Sequence, residues 1–145
     1  DLVVKQGSHI KPRNVKAKSK KSDILKRMAY IYTVKGDVAS AESNYKAIIA
    51  INPNDVETYM DLAYVKLDKK KEIADKMALL GTSAEDMKKY DELKIKKDEE
   101  VKVAVGYLEK ALTLEPSNKD ISKLLLNLYR SLDMTDKYEA LQAKG

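Results

Sequence analysis

The side chains of this sequence that could carry chemistry are few and scattered. Carboxylates cluster at Asp91-Glu92 and at Asp98-Glu99-Glu100. Such groups can share general acid and base work where a cleft shifts one pKa. Here they lie among lysines three and four residues away, the spacing of solvated ion pairs along a helix. The lone histidine, His9, has no partner at ligand spacing, so it supports neither a Ser-His-Asp triad nor a multi-histidine metal site. The absence of Cys removes thiolate nucleophiles, disulfides and thiolate zinc sites. Gly7-Ser8, Gly36-Asp37 and Gly81-Thr82 are isolated turn signals, not a loop that cradles phosphate. The expectation is a protein with no catalytic centre, no metal and no cofactor, which works by binding.

The elements that present the binding side chains then matter most. A chain of 145 residues suits one domain or two, and 43% apolar residues can fill a core. Charged residues reach 35%, above the usual value of about 25%, while Gly (5) and Pro (3) are scarce. That balance favours helix throughout. No apolar run approaches the roughly 18–20 residues that span a bilayer. An opening Asp1 reads as a processed product or an excised piece.

The net charge of +5 is unevenly placed. Residues 1–21 carry seven Lys or Arg against one Asp, whereas residues 22–145 are close to neutral. This segment reads as a basic N-terminal arm or linker. It could attract nucleic acid or an anionic membrane surface, although no base-stacking aromatic accompanies it.

Past the arm, apolar residues recur with helical period. Leu25, Met28, Ala29 and Tyr32 follow an i, i+3, i+4, i+7 pattern that Gly36-Asp37 ends. Asp37 is placed to cap a second helix through Ala41, Tyr45, Ile48 and Ile49, which stops before Pro53. Asn54 with Glu57 reads as a capping box for a third helix. Ala104, Leu108, Ala111 and Leu112 repeat the second pattern up to Pro116, and Ser117 with Asp120 repeats the cap. Twelve residues separate Ala41 from Pro53, and twelve separate Ala104 from Pro116.

These blocks resemble the tetratricopeptide repeat, a 34-residue helix-turn-helix unit. In residues 22–55 the motif positions hold Leu25, Met28, Ala29, Tyr32, Gly36, Ala41, Tyr45 and Pro53. The resemblance implies an all-α fold, a right-handed superhelix of helix-turn-helix hairpins. Repeat 1 is residues 22–55, repeat 2 is 56–118, and repeat 3 or a cap is 119–145. The runs YLEKALTLEPSN and LLLNLYRSLDMTDKYEALQAK also look like the ends of envelope proteins of Bacteroides-type bacteria, a likeness that covers about residues 56–145. That narrower likeness implies a periplasmic or cell-envelope setting in preference to the cytoplasm.

Repeat 2 is interrupted. Pro53 and Pro116 are 63 residues apart, one 34-residue period plus 29. Twenty-nine residues is about eight helical turns, so an insertion around 67–99, split between two helices, keeps both in phase. We expect long helices over 55–80 and 83–115, an elongated second hairpin turning at Gly81, with Thr82 and Glu85 as its capping box. Folding there brings Ile73 near Tyr90, Met77 near Met87 and Leu67 near Ile95.

The resemblance also implies a groove lined by the first helix of each repeat. The corresponding binding candidates are Lys26 and Tyr30, then Met60, Asp61, Tyr64 and Leu67, then Asn127 and Arg130. Tyr30 and Tyr64 stand apart from Tyr32, Tyr45, Tyr59 and Tyr129, which fall on core positions. The expected partner is a protein or peptide, held in the groove or on the projecting hairpin, with self-association through the repeat ends as a structural variant. The basic arm as a tether to nucleic acid or membrane is the alternative. Capture of a chaperone's C-terminal carboxylate is disfavoured. Lys26 fits that clamp, but Tyr30, Asp61, Asp120 and Leu124 replace its other Asn and basic residues.

Overall fold

Few helix breakers and persistent 3.6-residue periodicity give six α-helices, and no strand occurs among the described residues. A computed structural model describes the backbone of residues 7–145 and the side chains from Lys20 onward. The readings placed on His9 and on most basic side chains of the arm therefore lie outside the described residues. The helices are α1 (Gly7–Lys35), α2 (Val38–Ile51), α3 (Val56–Ala78), α4 (Ala84–Leu114), α5 (Lys119–Ser131) and α6 (Thr135–Lys144). The backbone of α1 thus begins inside the segment read as an arm. The chain divides into two compact units, residues 1–58 and 59–145.

In the first unit α1 packs on α2. The turn between them needs a left-handed residue, supplied by Gly36 at φ 79°. Asp37 caps α2 as expected, its carboxylate accepting from the Ser40 N–H at 3.1 Å. The hydrogen bonds from Ser40 hold that carboxyl below its ordinary value. Ala29, Ala41, Tyr45 and Ile48 are buried.

The repeat is visible in backbone hydrogen bonds as well as in sequence. Around Gly36 the bonds are Gly36 N to Thr33 O, Asp37 N to Tyr32 O and Ala41 N to Asp37 O. Shifted by 97 residues, Asp133 N donates to Arg130 O, Met134 N to Tyr129 O and Tyr138 N to Met134 O. Asp133 takes the place of Gly36 and is likewise left-handed, at φ 55°. Shifted by 63, the bonds Asn52 N to Ile48 O and Asp55 N to Asn52 O recur as Glu115 N to Ala111 O and Asn118 N to Glu115 O. The second copy lacks the first of these turns, because the position equivalent to Gly36 is Glu99, inside α4.

At the starts of α3, α4 and α5 the flanking residue is one later than the sequence suggests. Helix α3 starts at Val56, so Asp55 and not Asn54 flanks it, while the Asn54 N–H donates to Asn52 Oδ1. At the tip of the long hairpin the cap is Ser83, accepting from Asp86 N at 3.1 Å, in place of Thr82 with Glu85. Asn118, not Ser117, caps α5 and accepts from the N–H groups of Asp120 and Ile121. Nor does Gly81 stop α3 by a left-handed turn. Leu79 N to Lys76 O and Leu80 N to Met77 O tighten its last turn. Gly81 instead lets the Asp86 carboxylate reach its N–H at 3.0 Å, where a Cβ would lie 3.0 Å from that oxygen.

In the second unit the long helices α3 and α4 follow one another across the turn at residues 79–83, and Lys66 on the first reaches Glu100 on the second. The base of this pair is apolar, with Leu62, Ala63, Val65, Val101, Ala104, Val105 and Leu108 buried. Its middle is polar: Lys66 pairs with Glu100 across the hairpin at 3.6 Å, both side chains largely covered. A covered ion pair fixes register more than it adds stability. The register differs from the sequence expectation. Lys66 pairs with Glu100, whereas setting Leu67 against Ile95 would place it beside Lys96, and Ile95 and Met87 are 62% and 61% exposed. The inward stripe of α4 runs through Leu93, Lys97, Val101 and Ala104, and at 3.6 residues per turn Ile95 falls on the far side. The distal part extends twelve residues beyond Lys66, roughly 18 Å at 1.5 Å per residue. Met77 is its only buried apolar side chain. Met77→Asp is expected to open this end, seen as faster proteolysis around Gly81, while the far-UV circular dichroism of the body is retained.

Helix α5 packs on α4 and α6 packs on α5. Ile121, Leu125, Leu128 and Tyr129 carry the apolar side of α5, but α6 buries no residue and its first residue follows Met134, which makes no side-chain cap. Polar contacts hold it. Glu109 Oε2 accepts from the Tyr129 hydroxyl at 2.7 Å and from Lys137 Nζ at 2.8 Å. Arg130 donates to the Tyr138 hydroxyl at 2.7 Å and lies over its ring at 5.1 Å.

Candidate functional site

A binding surface on such a fold consists of side chains that the core leaves out. On α3 the covered side holds Tyr59, Leu62, Val65 and Lys66. The opposite side carries Met60, Asp61, Tyr64 and Leu67, which the spacing i, i+1, i+4, i+7 places within two turns. Tyr64 is 47% exposed, and Met60, Asp61 and Leu67 are half-buried. Four of the eight candidate residues therefore share one face of one helix.

The remaining four are placed differently. Tyr30 on α1 is 68% exposed. Lys26 is not a free cation: its ammonium pairs with Asp55 at 2.8 Å and Glu57 at 3.8 Å. The hydrogen bond to Asp55 and the surrounding carboxylates outweigh desolvation and raise its pKa above the ordinary lysine value. Arg130 is exposed but committed to Tyr138, and Asn127 is exposed on α5.

Beside Arg130 lies the most polarised cluster among the described residues. Burial pushes the Tyr129 phenol well above its ordinary value, and its hydrogen bond to Glu109 adds to the rise. Burial also acts to raise Glu109, but hydrogen bonds from Lys137 and Tyr129 overcome it and hold the carboxyl below the ordinary 4.5. These bonds join α4, α5 and α6 and seat α6. A carboxyl depressed in the folded state contributes stability above its unfolded pKa, and that contribution is lost as pH falls through the folded value. Acidification below about 4.5 should therefore loosen α6 first, with the amide shifts of residues 135–144 moving before those of α4. Glu109→Gln should show the loosened α6 already at neutral pH.

Two groups of exposed apolar side chains lie apart from the candidate residues, and one of them includes Met28, which follows the apolar pattern of α1 but is 38% exposed. Leu79, at the hairpin tip, is 86% exposed. On α1, Ile24, Met28 and Ile31 are exposed in successive turns on the side away from buried Ser22 and Ala29. The signal for the second was present as isoleucines seven residues apart, hidden behind the stronger Leu25, Met28, Ala29, Tyr32 pattern.

No protein-family model matches the chain, and no curated protein sequence matches it. Among solved structures the chain is similar to that described as the human IFIT1 dimer with m7Gppp-AAAA, with a TM-score of 0.59 at 17% identity. The match covers 85% of this chain and 25% of that one, so the chain spans about a quarter of that protein's length. A match to the MamA protein has a TM-score of 0.34 at 24% identity, covering 87% and 72% of the two chains. Taken with the backbone bonds repeated at offsets of 63 and 97 residues, the first likeness establishes the fold: the chain is all-α and tetratricopeptide-like.

Proposed function

We propose that this chain is a non-enzymatic interaction module that binds a peptide or protein segment on the outer face of α3. The observation that carries the reading is Tyr64, half exposed on a helix whose opposite side is core, with Met60 and Leu67 one turn to either side. Tyrosine offers a large, rigid contact area at low entropic cost, and such residues dominate binding energy when partly pre-buried. Helix α3 is anchored by Leu62, Ala63 and Val65, so the face is preformed and little ordering opposes capture. The matching ligand is a short segment with an aliphatic or aromatic anchor. The resemblance of residues 56–145 to the ends of Bacteroides-type envelope proteins supports an envelope setting for such a module.

The test uses peptides selected from a random displayed library against the whole chain. Tyr64→Ala should weaken the selected peptides about tenfold or more, about 1.4 kcal/mol or above. Tyr90→Ala, which removes a similarly exposed tyrosine near the hairpin tip, should leave affinity unchanged. The reverse pattern would move the binding surface to the tip.

A further inference from the structure

The outer side of α1 combines an apolar seam with unmatched positive charge. Single exposed apolar side chains are ordinary. Ile24, Met28 and Ile31 differ in falling on successive turns, 50%, 38% and 49% exposed, over seven residues or roughly 10 Å of helix. At 3.6 residues per turn they lie within about 60° of the helix circumference, the width of a seam for one further helix. Lys21 and Arg27 flank it and Lys35 stands at its end, all exposed and without an ion pair among the described residues. The α1 cation that does have partners, Lys26, is turned to Asp55.

These two features together select the partner. Nucleic acid would satisfy the cations and leave the seam in water. A helix lying in a membrane surface buries a broad, continuous apolar face rich in Trp, Phe or Leu, whereas exposed Arg27 divides this seam from Tyr30 and Val34, 68% and 69% exposed on the same helix, and the chain has neither Trp nor Phe. A second copy laid along the same seam would set cations against cations. A helix with apolar residues at i, i+3 or i+4, and i+7 and carboxylates beside them meets both requirements. It packs as in a coiled coil, with flanking charges selecting the partner.

We propose that the outer face of α1 docks an acidic amphipathic helix of a partner protein, its apolar side chains on Ile24, Met28 and Ile31 and its carboxylates toward Lys21, Arg27 and Lys35. This docking uses none of the α3 candidate residues and stands or falls independently of the α3 reading.

The experiment titrates the full chain into two labelled synthetic helices of about three heptads, read by fluorescence anisotropy. Both carry the same leucine seam; one is flanked by Glu and the other by Lys. The Glu-flanked helix should bind saturably, more weakly as salt is raised, and the Lys-flanked helix should not. Ile31→Asp should weaken binding about tenfold or more. Because Ile31 is half exposed, the circular dichroism of that variant should be unchanged. Reversing charge with Lys21→Glu, Arg27→Glu and Lys35→Glu together should transfer binding to the Lys-flanked helix. Equal binding of both helices, indifference to Ile31→Asp, or failure of the charge reversal to transfer binding would overturn the proposal. So would Ile31-dependent binding to phosphatidylglycerol vesicles, or Ile31-dependent self-association in sedimentation, with no binding of the Glu-flanked helix. Those two results would assign the face to lipid or to a second copy.

Discussion

Leu108→Ala is expected to lower the unfolding free energy by about 2–5 kcal/mol. Leu108 is fully buried in α4 between Ala104 and Ala111, themselves without exposed surface, on the helix that packs against α5. Small residues one turn to each side let the neighbouring backbone come close, so little can move inward to fill the space that a truncated leucine leaves. Ile95→Ala, on the same helix, should cost within about 0.5 kcal/mol, because that side chain is mostly in water. The two urea melts together test the phase of α4. Equal losses would mean that its inward face is not the one running through Leu93, Val101 and Leu108. Ala104→Leu probes the same contact from the opposite direction and should cost about 1–3 kcal/mol through overpacking.

Removing residues 68–96 in register should leave a folded helical body. Of the buried apolar side chains only Met77 falls within that stretch, so the excision takes almost nothing from the core. Joining Leu67 to Lys97 restores the 34-residue period and calls again for the tight turn that opens at Gly36 and Asp133. Its left-handed position would then be filled by Glu99, at a cost of about 1–2 kcal/mol for a residue with a Cβ. The shortened chain carrying Glu99→Gly should therefore melt cooperatively and at a higher temperature than the shortened chain without it. Loss of folding in both would make the segment part of the core. Retained folding with loss of the selected peptides would make the projecting hairpin the functional surface.

Helices and turns were legible because apolar period and the Gly and Pro stops are local properties of the chain. The caps were legible to within one residue. At each site two cap-competent residues are adjacent, Asn54-Asp55, Thr82-Ser83 and Ser117-Asn118, and the second one flanks the helix in the structure. Local sequence does not choose between them; the preceding turn does, through bonds such as Asn118 N to Glu115 O. The hairpin register was misread for a related reason. Folding the sequence about Gly81 matches distances along the chain, whereas the inward face of α4 is set by helical phase from the core at Ala104 and Leu108. At the candidate site, the exposure of Tyr30 and Tyr64 followed from their falling off the core period. The engagement of Lys26 with Asp55, and of Arg130 with Tyr138, did not follow, since both pairs join separate elements.

The central claim, that α3 presents a preformed peptide-binding face, is tested most directly by a chemical-shift map. A library-selected peptide titrated into the isotopically labelled chain should shift the signals of Met60, Asp61, Tyr64 and Leu67 most strongly, with Leu62 and Leu108 nearly still, as expected for docking on a rigid face. Shifts centred on Leu79, Met87 and Tyr90, with those of α3 unmoved around Tyr64, would contradict the claim.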